Sequence, residues 1–477
     1  MKKQNLLNNF IFQFLYQIVI LVVPLILTPY LTRTLGSEAL GVYSYVNSIA
    51  YYFVIFAMLG ISKYGQRVIS TFVDNEKELR KAFWSLLVLH LLISSAILVI
   101  YYLFLFYSNP KHINIYYIEG LYVASALFDI TWFFYGIENF KSVVIKNILI
   151  RIFESISILL FVRTSSDISL YTFITASSIL AGQAVMIPQA VKIAKPIPFT
   201  IRDIKQHIKP LLVFFVAVLA ASLYTVFDKT LLGMMSSIDN VAYYEYSNKI
   251  INIPKTIISV IGTVMFPRAC KLAGNKNNTQ QKIYISYSLT LTSFIAMASM
   301  FGLVSLAHQF AIYYFGIEFA ICGNIMIILS PIIYIIGIGE ILRTQYMIPN
   351  NMDKEYVLSL IMNAIINLVI SVCLIPLIGV YGAVLGTIAA EMTGLIYQLW
   401  LSKNFISIKM VLKSTIPFVI IGTIMFVFIQ ILNIWLAESL LSFVLKMSIG
   451  GLIYVMLSIF YMCRKHPNIL NLRTSKK

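Results

Sequence analysis

The sequence predicts an all-α, polytopic membrane protein of about 14 transmembrane helices, arranged as two pseudo-symmetric six-helix lobes plus two C-terminal helices. Three observations carry that reading: the density of apolar residues, the placement of lysine and arginine, and a segment that the chain repeats. Of 477 residues, 59% are hydrophobic and only 12% charged, with a mean hydropathy of +0.85. A soluble domain carries about 25% charged residues. The apolar residues gather in long runs, each near the ~20 residues that a helix needs to cross a hydrocarbon core. Backbone groups in lipid must be satisfied within their own segment, so such runs are helices. The alternating strands of a membrane barrel do not occur in the sequence.

In order, the runs place spans at 8–32, 41–62, 82–107, 115–136, 143–162, 169–191, 210–233, 241–266, 283–308, 321–342, 356–376, 381–402, 414–435 and 439–462. The first has a basic start, no small-residue cleavage site and an apolar run too long for a signal-peptide core, so it reads as an uncleaved span. Spans five and eight carry charge. With the N-terminus in the cytoplasm, the tails and the loops leading from even to odd spans are rich in basic residues. Examples are Lys63, Arg67, Lys77, Arg80 and Lys81, then Lys192, Lys195, Arg202, Lys205 and Lys209, and finally the C-terminal tail. The opposite loops are short and hold only Arg33, Lys111, Arg163 and Lys229. This is the positive-inside distribution. It gives an even span count with both termini cytoplasmic, and it explains the net charge of +17 with no nucleic-acid partner.

The repeat begins with "VYSYVNSIAYYF" at residues 42–53 and "YYEYSNKIINIP" at 243–254. A shift of 201 residues superposes Tyr43 on Tyr244, Tyr45 on Tyr246, Asn47 on Asn248, Ile49 on Ile250 and Arg67 on Arg268. The same shift carries span three onto span nine. The expected organisation is an N-terminal six-helix lobe at 1–200, a C-terminal six-helix lobe at 201–405, and two further helices with a basic tail at 406–477. Parallel repeats flanking a midplane cavity are a transporter architecture, in which one half rocks against the other.

Catalysis and cofactors find little support. The four cysteines and five histidines are dispersed and form no metal-ligand spacing. No HExxH, GxSxG or GxxxxGK[ST] motif is present. The expectation is a non-enzyme without cofactor or metal.

Four stretches in order, "TPYLTRTLGSEALGVYSYVNSI", "FDITWFFYGIENFK", "FDKTLLGMMSSIDNVAYYEYSNKI" and "IPLIGVYGAVLGTIAAE", resemble the polysaccharide-transporter (Wzx-type) flippases of the multidrug/oligosaccharidyl-lipid/polysaccharide superfamily. The resemblance runs from about residue 8 to about residue 400. It implies a fourteen-helix, two-lobed fold in the cytoplasmic membrane. It also implies transfer of undecaprenyl-diphosphate-linked oligosaccharides from the inner to the outer leaflet for a capsule, exopolysaccharide or O-antigen, by alternating access. Its partners would be that glycolipid, membrane lipids and polysaccharide polymerase machinery. Two alternatives stand beside it: a related exporter of a peptidoglycan lipid precursor or cationic drug, and an enzyme of polymer assembly, which would be expected to carry a large outer loop.

Charge inside a span is costly and usually faces a cavity or a partner. In span eight Glu245, Lys249, Asn252, Thr256, Ser259 and Thr263 recur at steps of three and four, a polar stripe along one helix face. The stripe reads either as a lumen wall or as a buried helix contact in which Glu245 and Lys249 pair. Lys255 has no acid one turn away, which makes it a candidate for an anionic ligand. Pro254 is expected to kink the span. Span five offers Arg151 for a diphosphate, or paired with Glu154. Asn363 and Asn367 in span eleven suit sugar hydroxyls or helix contacts. Gln13 and Gln17 in span one are similarly ambiguous. Asp129 and Glu391, acids within spans four and twelve and without a nearby base in sequence, are candidates for ion coupling. Arg67 and Arg268 are candidates for the cytoplasmic mouth.

Overall fold

The computed structural model describes residues 6–275 and 277–465, with side chains from Val19 onward except 217, 220–225 and 465. Gln13, Gln17 and the basic tail beyond Arg464 therefore lie outside the described side chains. Among the described residues the regular elements are helical and no strand occurs. Each expected span falls on a helix or a run of helical segments. Among the described residues, ten helices are long and apolar enough to cross a membrane by length and composition, the first of them, Val19–Thr71, holding span two and the later part of span one. The chain forms two compact units, Met1–Gly233 and Met234–Lys477.

The first unit opens with α1 (Leu6–Met58), which is interrupted at Gly36 (φ 76°, ψ 178°), a backbone conformation that a side chain would strain. There follow α2 (Ile61–Thr71), α3 (Glu76–Ser108), α4 (Ile113–Ser125), α5 (Thr131–Gly136), α6 (Phe140–Phe161), α7 (Ile168–Ala184), α8 (Ile187–Ile193) and α9 (Ile201–Met235). Asparagine side chains cap two of these helices. Asn75 accepts from the Glu78 N–H at 3.3 Å, and Asn139 from the Ser142 N–H at 3.3 Å. Span four is not one helix: a 3₁₀ turn at Ala126–Phe128 separates α4 from α5. The aromatic run after this break forms a core. Trp132, Phe133 and Phe134 are fully buried around Phe83, with the Phe83 and Phe133 rings 4.5 Å apart. At the end of this core His207 of α9 is buried between Tyr64 and Ser85. Its Nδ1 lies 2.8 Å from the Tyr64 hydroxyl and its Nε2 3.1 Å from Ser85 Oγ. A Lys81–Asp203 ion pair of 2.8 Å ties α3 to the start of α9 nearby.

The second unit consists of α10 (Ile238–Gly274), α11 (Asn278–Phe310), α12 (Ile321–Leu329), α13 (Pro331–Leu342), α14 (Asp353–Ile378), α15 (Val380–Ser402), α16 (Ile408–Trp435) and α17 (Leu440–Lys465). α10 remains helical through Pro254 and Pro267. Asn277 caps α11 as Asn75 caps α3, its Oδ1 3.1 Å from the Gln280 N–H. The repeated segment plays matching roles. Tyr43 stacks edge-on against Tyr171 of α7 at 4.8 Å, and the Tyr244 hydroxyl lies 2.9 Å from Thr387 Oγ1 of α15. These partners stand on spans six and twelve, which the repeat makes counterparts.

α14 and α15 form a hairpin joined by the single residue Gly379 (φ 58°). Along α15, Gly382, Gly386, Ala390 and Gly394 recur every four residues, a small-residue face that lets two helices approach closely. Opposite them on α14 lie buried Ser359, Asn363, Asn367 and Ser371. A β-carbon on Gly386 would stand 2.2 Å from Ser371 Oγ, and one on Gly394 2.3 Å from Asn363 Oδ1. The C-terminal helices complete the unit. Tyr454 of α17 donates to the Phe294 carbonyl of α11 at 2.9 Å, and Thr415 of α16 lies 3.0 Å from Ser293 and 2.8 Å from Tyr334.

Two predictions follow from these contacts. Gly386→Ala should lower the melting temperature of the purified protein, as overpacking costs about 1–3 kcal/mol. Gly302→Ala, where an added β-carbon meets nothing within 4 Å, should not. Burial holds the His207 imidazole below its ordinary value, against the weaker upward pull of Asp203. The unfolded chain therefore takes up a proton there before the folded chain does. The ring's contribution is full above the unfolded pKa of about 6.5 and declines as the pH falls toward its depressed folded value. Melting curves between about pH 7.5 and pH 5.5 should slope downward with acid, and His207→Gln should flatten the slope.

Candidate functional site

The polar stripe of α10 is the largest array of polar side chains on any one helix face predicted from the sequence. Asn252, Thr256, Ser259 and Thr263 are exposed, while Glu245 and Lys249 are half-buried. The stripe hydroxyls turn back on their own helix: Thr256 Oγ1 donates to the Asn252 carbonyl at 2.8 Å, Ser259 Oγ to that of Thr256 at 2.8 Å, and Thr263 Oγ1 to that of Ser259 at 3.0 Å. Each keeps lone pairs free for a ligand or water. The Lys249 ammonium stands 4.0 Å over the Tyr246 ring.

A different face of α10 is apolar. Ile250, Ile253 and Pro254 line a cavity of about 360 Å³ together with α11, α16 and α17, through residues such as Leu303, Met425, Phe443 and Tyr454. One helix thus presents a polar surface on one side and bounds an apolar groove on another.

The embedded charges that look isolated in sequence acquire neighbours on folding. Lys255 of α10 comes within electrostatic reach of Glu391 of α15, so neither lacks an opposite charge. Glu391 is 7% exposed and lies 3.5 Å from Asn363 Nδ2. Asp129 is likewise not alone. It sits where span four breaks, its Oδ1 accepting from the Thr131 N–H at 3.0 Å and hydroxyl at 2.6 Å, and its field reaches Lys146. Asp129 and Glu391 have no base nearby in sequence, and the basic residues that come within their electrostatic reach stand on other helices. Asn363 and Asn367, 3% and 2% exposed, face α15 rather than open space, so their amides serve the helix contact.

Arg151 of α6 grips Glu154 through Nη1, at 2.9 Å and 3.2 Å, yet its side chain stays 40% exposed. Arg67 and Arg268 are both exposed, and both lean on aromatic rings: Arg67 is 4.9 Å from Phe214 and Arg268 is 4.1 Å from Tyr284. Among the described residues, the buried charges beyond those candidates include Glu119 and Lys146. Glu119 of α4 is 1% exposed, with Asn47 Nδ2 at 3.4 Å from both carboxylate oxygens. Lys146 of α6 is 9% exposed and donates to Gln183 Oε1 at 3.2 Å. The criterion that singled out Glu391, an acid inside a span with no base one turn away, also fits Glu119. Lys146 lies near the end of span five and reads as part of the basic flank.

A double-mutant cycle tests the cross-helix pair. Glu391→Gln and Lys255→Met should each lower the melting temperature, and the double variant should lose less than the sum, with a coupling of about 0.5–3 kcal/mol. Additive losses would show that the two charges do not interact.

The family model described as "Polysaccharide biosynthesis protein" matches residues 6–273, more than half of the chain. The chain is 25% identical over 380 residues to a putative O-antigen transporter of Shigella dysenteriae, covering 79% of this chain and 94% of the relative. It is 24% identical over 379 residues to a putative O-antigen transporter of Escherichia coli K12, covering 77% and 89%. Its fold matches a solved structure of the lipid II flippase MurJ in an inward closed conformation, with a TM-score of 0.77 at 17% identity, over 94% of this chain and 99% of that one. The helical architecture and the extent of the family match agree, and the chain belongs to the polysaccharide biosynthesis protein family.

Proposed function

We propose that the chain is a flippase for a polysaccharide precursor, moving undecaprenyl-diphosphate-linked oligosaccharide units across the cytoplasmic membrane by alternating access, with both termini cytoplasmic. The observation that carries this reading is the two-sided character of α10. An exposed row of hydroxyl and amide groups inside a membrane span is too polar to face lipid tails. It suits a hydrated glycan head group. The adjoining apolar groove suits a hydrocarbon chain. A cargo with both parts is an amphiphile, and the relatives named as O-antigen transporters support a glycan-bearing one.

Within this proposal Asn252, Thr256, Ser259 and Thr263 offer hydrogen bonds to sugar hydroxyls. Arg151, half-exposed beside its carboxylate, would exchange part of that contact for a phosphate oxygen. Arg67 and Arg268 are further cationic groups exposed to an arriving anion. Lys249 and Glu245 supply mixed charge along the stripe. Lys255 and Glu391 answer one another across α10 and α15, and their joint neutrality is suited to a structural or ion-coupled role rather than to holding substrate.

Cells with and without the protein should differ in lipid-linked oligosaccharide and in surface polymer. Loss of the protein should remove the polymer while complete lipid-linked units accumulate at the inner leaflet. Ser259→Leu, which places an apolar side chain on the exposed stripe, should reproduce that accumulation at normal protein levels. Normal arrival of the units at the outer leaflet in cells lacking the protein would contradict the proposal.

A further inference from the structure

The second unit contains a polar pocket that the proposed transport path does not use. It has a volume of about 330 Å³ and lies where the N-terminal end of α16 meets α11 and α17. Ser407, Lys409, Lys413 and Ser414 come from α16, Ser286 from α11 and Tyr461 from α17. Among the described residues no acidic one lines it.

Three features point to an anion. First, α16 begins here. Ser407 caps it, accepting from the Met410 N–H at 3.3 Å, and the first backbone N–H groups of a long helix favour negative charge. Second, Lys409 and Lys413 lie one turn apart on the same face, and neither has an acidic partner among the described residues. Third, Ser414 is only 8% exposed, lines the pocket, and its hydroxyl makes no hydrogen bond among the described residues. A helical serine ordinarily satisfies its hydroxyl on the carbonyl one turn back, as neighbouring Thr415 does on Val411 at 2.9 Å. A hydroxyl with no hydrogen bond among the described residues, on a mostly buried serine that lines the same pocket as two lysines at a helix N-terminus, is a vacant donor.

We infer that this pocket binds a phosphate group: Ser414 and Ser286 donate to its oxygens, the lysines neutralise it and the α16 N-terminus orients it. Three tetrahedrally arranged acceptor oxygens suit such a convergent set better than a planar carboxylate or a spherical halide. The phosphate can belong to an anionic lipid head group or be free in solution, and these sources are separable by experiment. The inference stands independently of the cargo proposed above, since no residue of α10 takes part.

The test uses the full-length purified protein. In one arm, nanodiscs of phosphatidylcholine are titrated with phosphatidylglycerol, and retained phosphatidylglycerol is counted by native mass spectrometry. In the other, melting temperature is followed in detergent with inorganic phosphate against sodium chloride of equal ionic strength. The wild-type protein should retain the lipid, or be stabilised by phosphate beyond chloride. Lys409→Gln with Lys413→Gln should weaken that response about tenfold, and Ser414→Ala should weaken it by a smaller factor. A response in the first arm alone identifies a lipid head group, and one in the second alone identifies free phosphate. The lysines are exposed, so their replacement leaves folding intact, and an unchanged melting temperature without ligand confirms it. Equal binding by wild type and the lysine double variant, or a response that chloride reproduces, would overturn the inference.

Discussion

A charge inside a bilayer has to be answered by another charge, a hydrogen-bond donor or water, and that constraint orders both units of this protein. Lys255 lies within electrostatic reach of Glu391 on a different helix. Asp129 is held by Thr131 and lies in the field of Lys146, which itself donates to Gln183. Glu119 takes Asn47, and Arg151 takes Glu154. The hydrogen bonds and the ion pair among these tie two segments or stiffen one, so polar groups inside the spans also help to hold the helices in register. Removing one partner strands the other in a medium that cannot solvate it.

The helices divide the work. α14 and α15 bury their polar row against a small-residue face and leave it no freedom. α10 does the opposite: among the described residues the hydroxyls of Thr256, Ser259 and Thr263 bond to carbonyls of their own helix, which leaves that face free to take up other partners. The alternating access proposed above would use both kinds of surface, a rigid one to transmit motion and an adaptable one to release what it binds.

Much of the fold was legible in the sequence, because apolar runs and basic flanks respond to the bilayer itself. The fourteen runs all fall on helical segments, and Tyr43 and Tyr244 engage counterpart helices as the repeat implies. The break in span four was not legible, since "SALFDITWF" contains no glycine or proline; at the break Asp129 accepts from the Thr131 N–H and hydroxyl. The site was legible only in part. Periodicity found the stripe of α10, because every member lies on one helix. It could not find the match of Lys255 with Glu391, whose residues are 136 positions apart. Nor could it decide between glycan contact and helix contact for Asn363 and Asn367. That distinction rests on Gly386 and Gly394, which lie on a different helix.

The claim on which the rest turns is that the polar face of α10 meets water and cargo. The most direct measurement places single cysteines at Asn252, Thr256, Ser259 and Thr263, and at Ile250 and Ile253 for contrast, after replacing the four native cysteines. Membrane-impermeant thiol reagents are then applied to intact cells and to inverted vesicles. The stripe positions should react, and accumulated lipid-linked oligosaccharide should slow their reaction, while the groove positions stay unreactive. Stripe cysteines that never react, or that react equally fast whatever the level of the lipid-linked units, would contradict it.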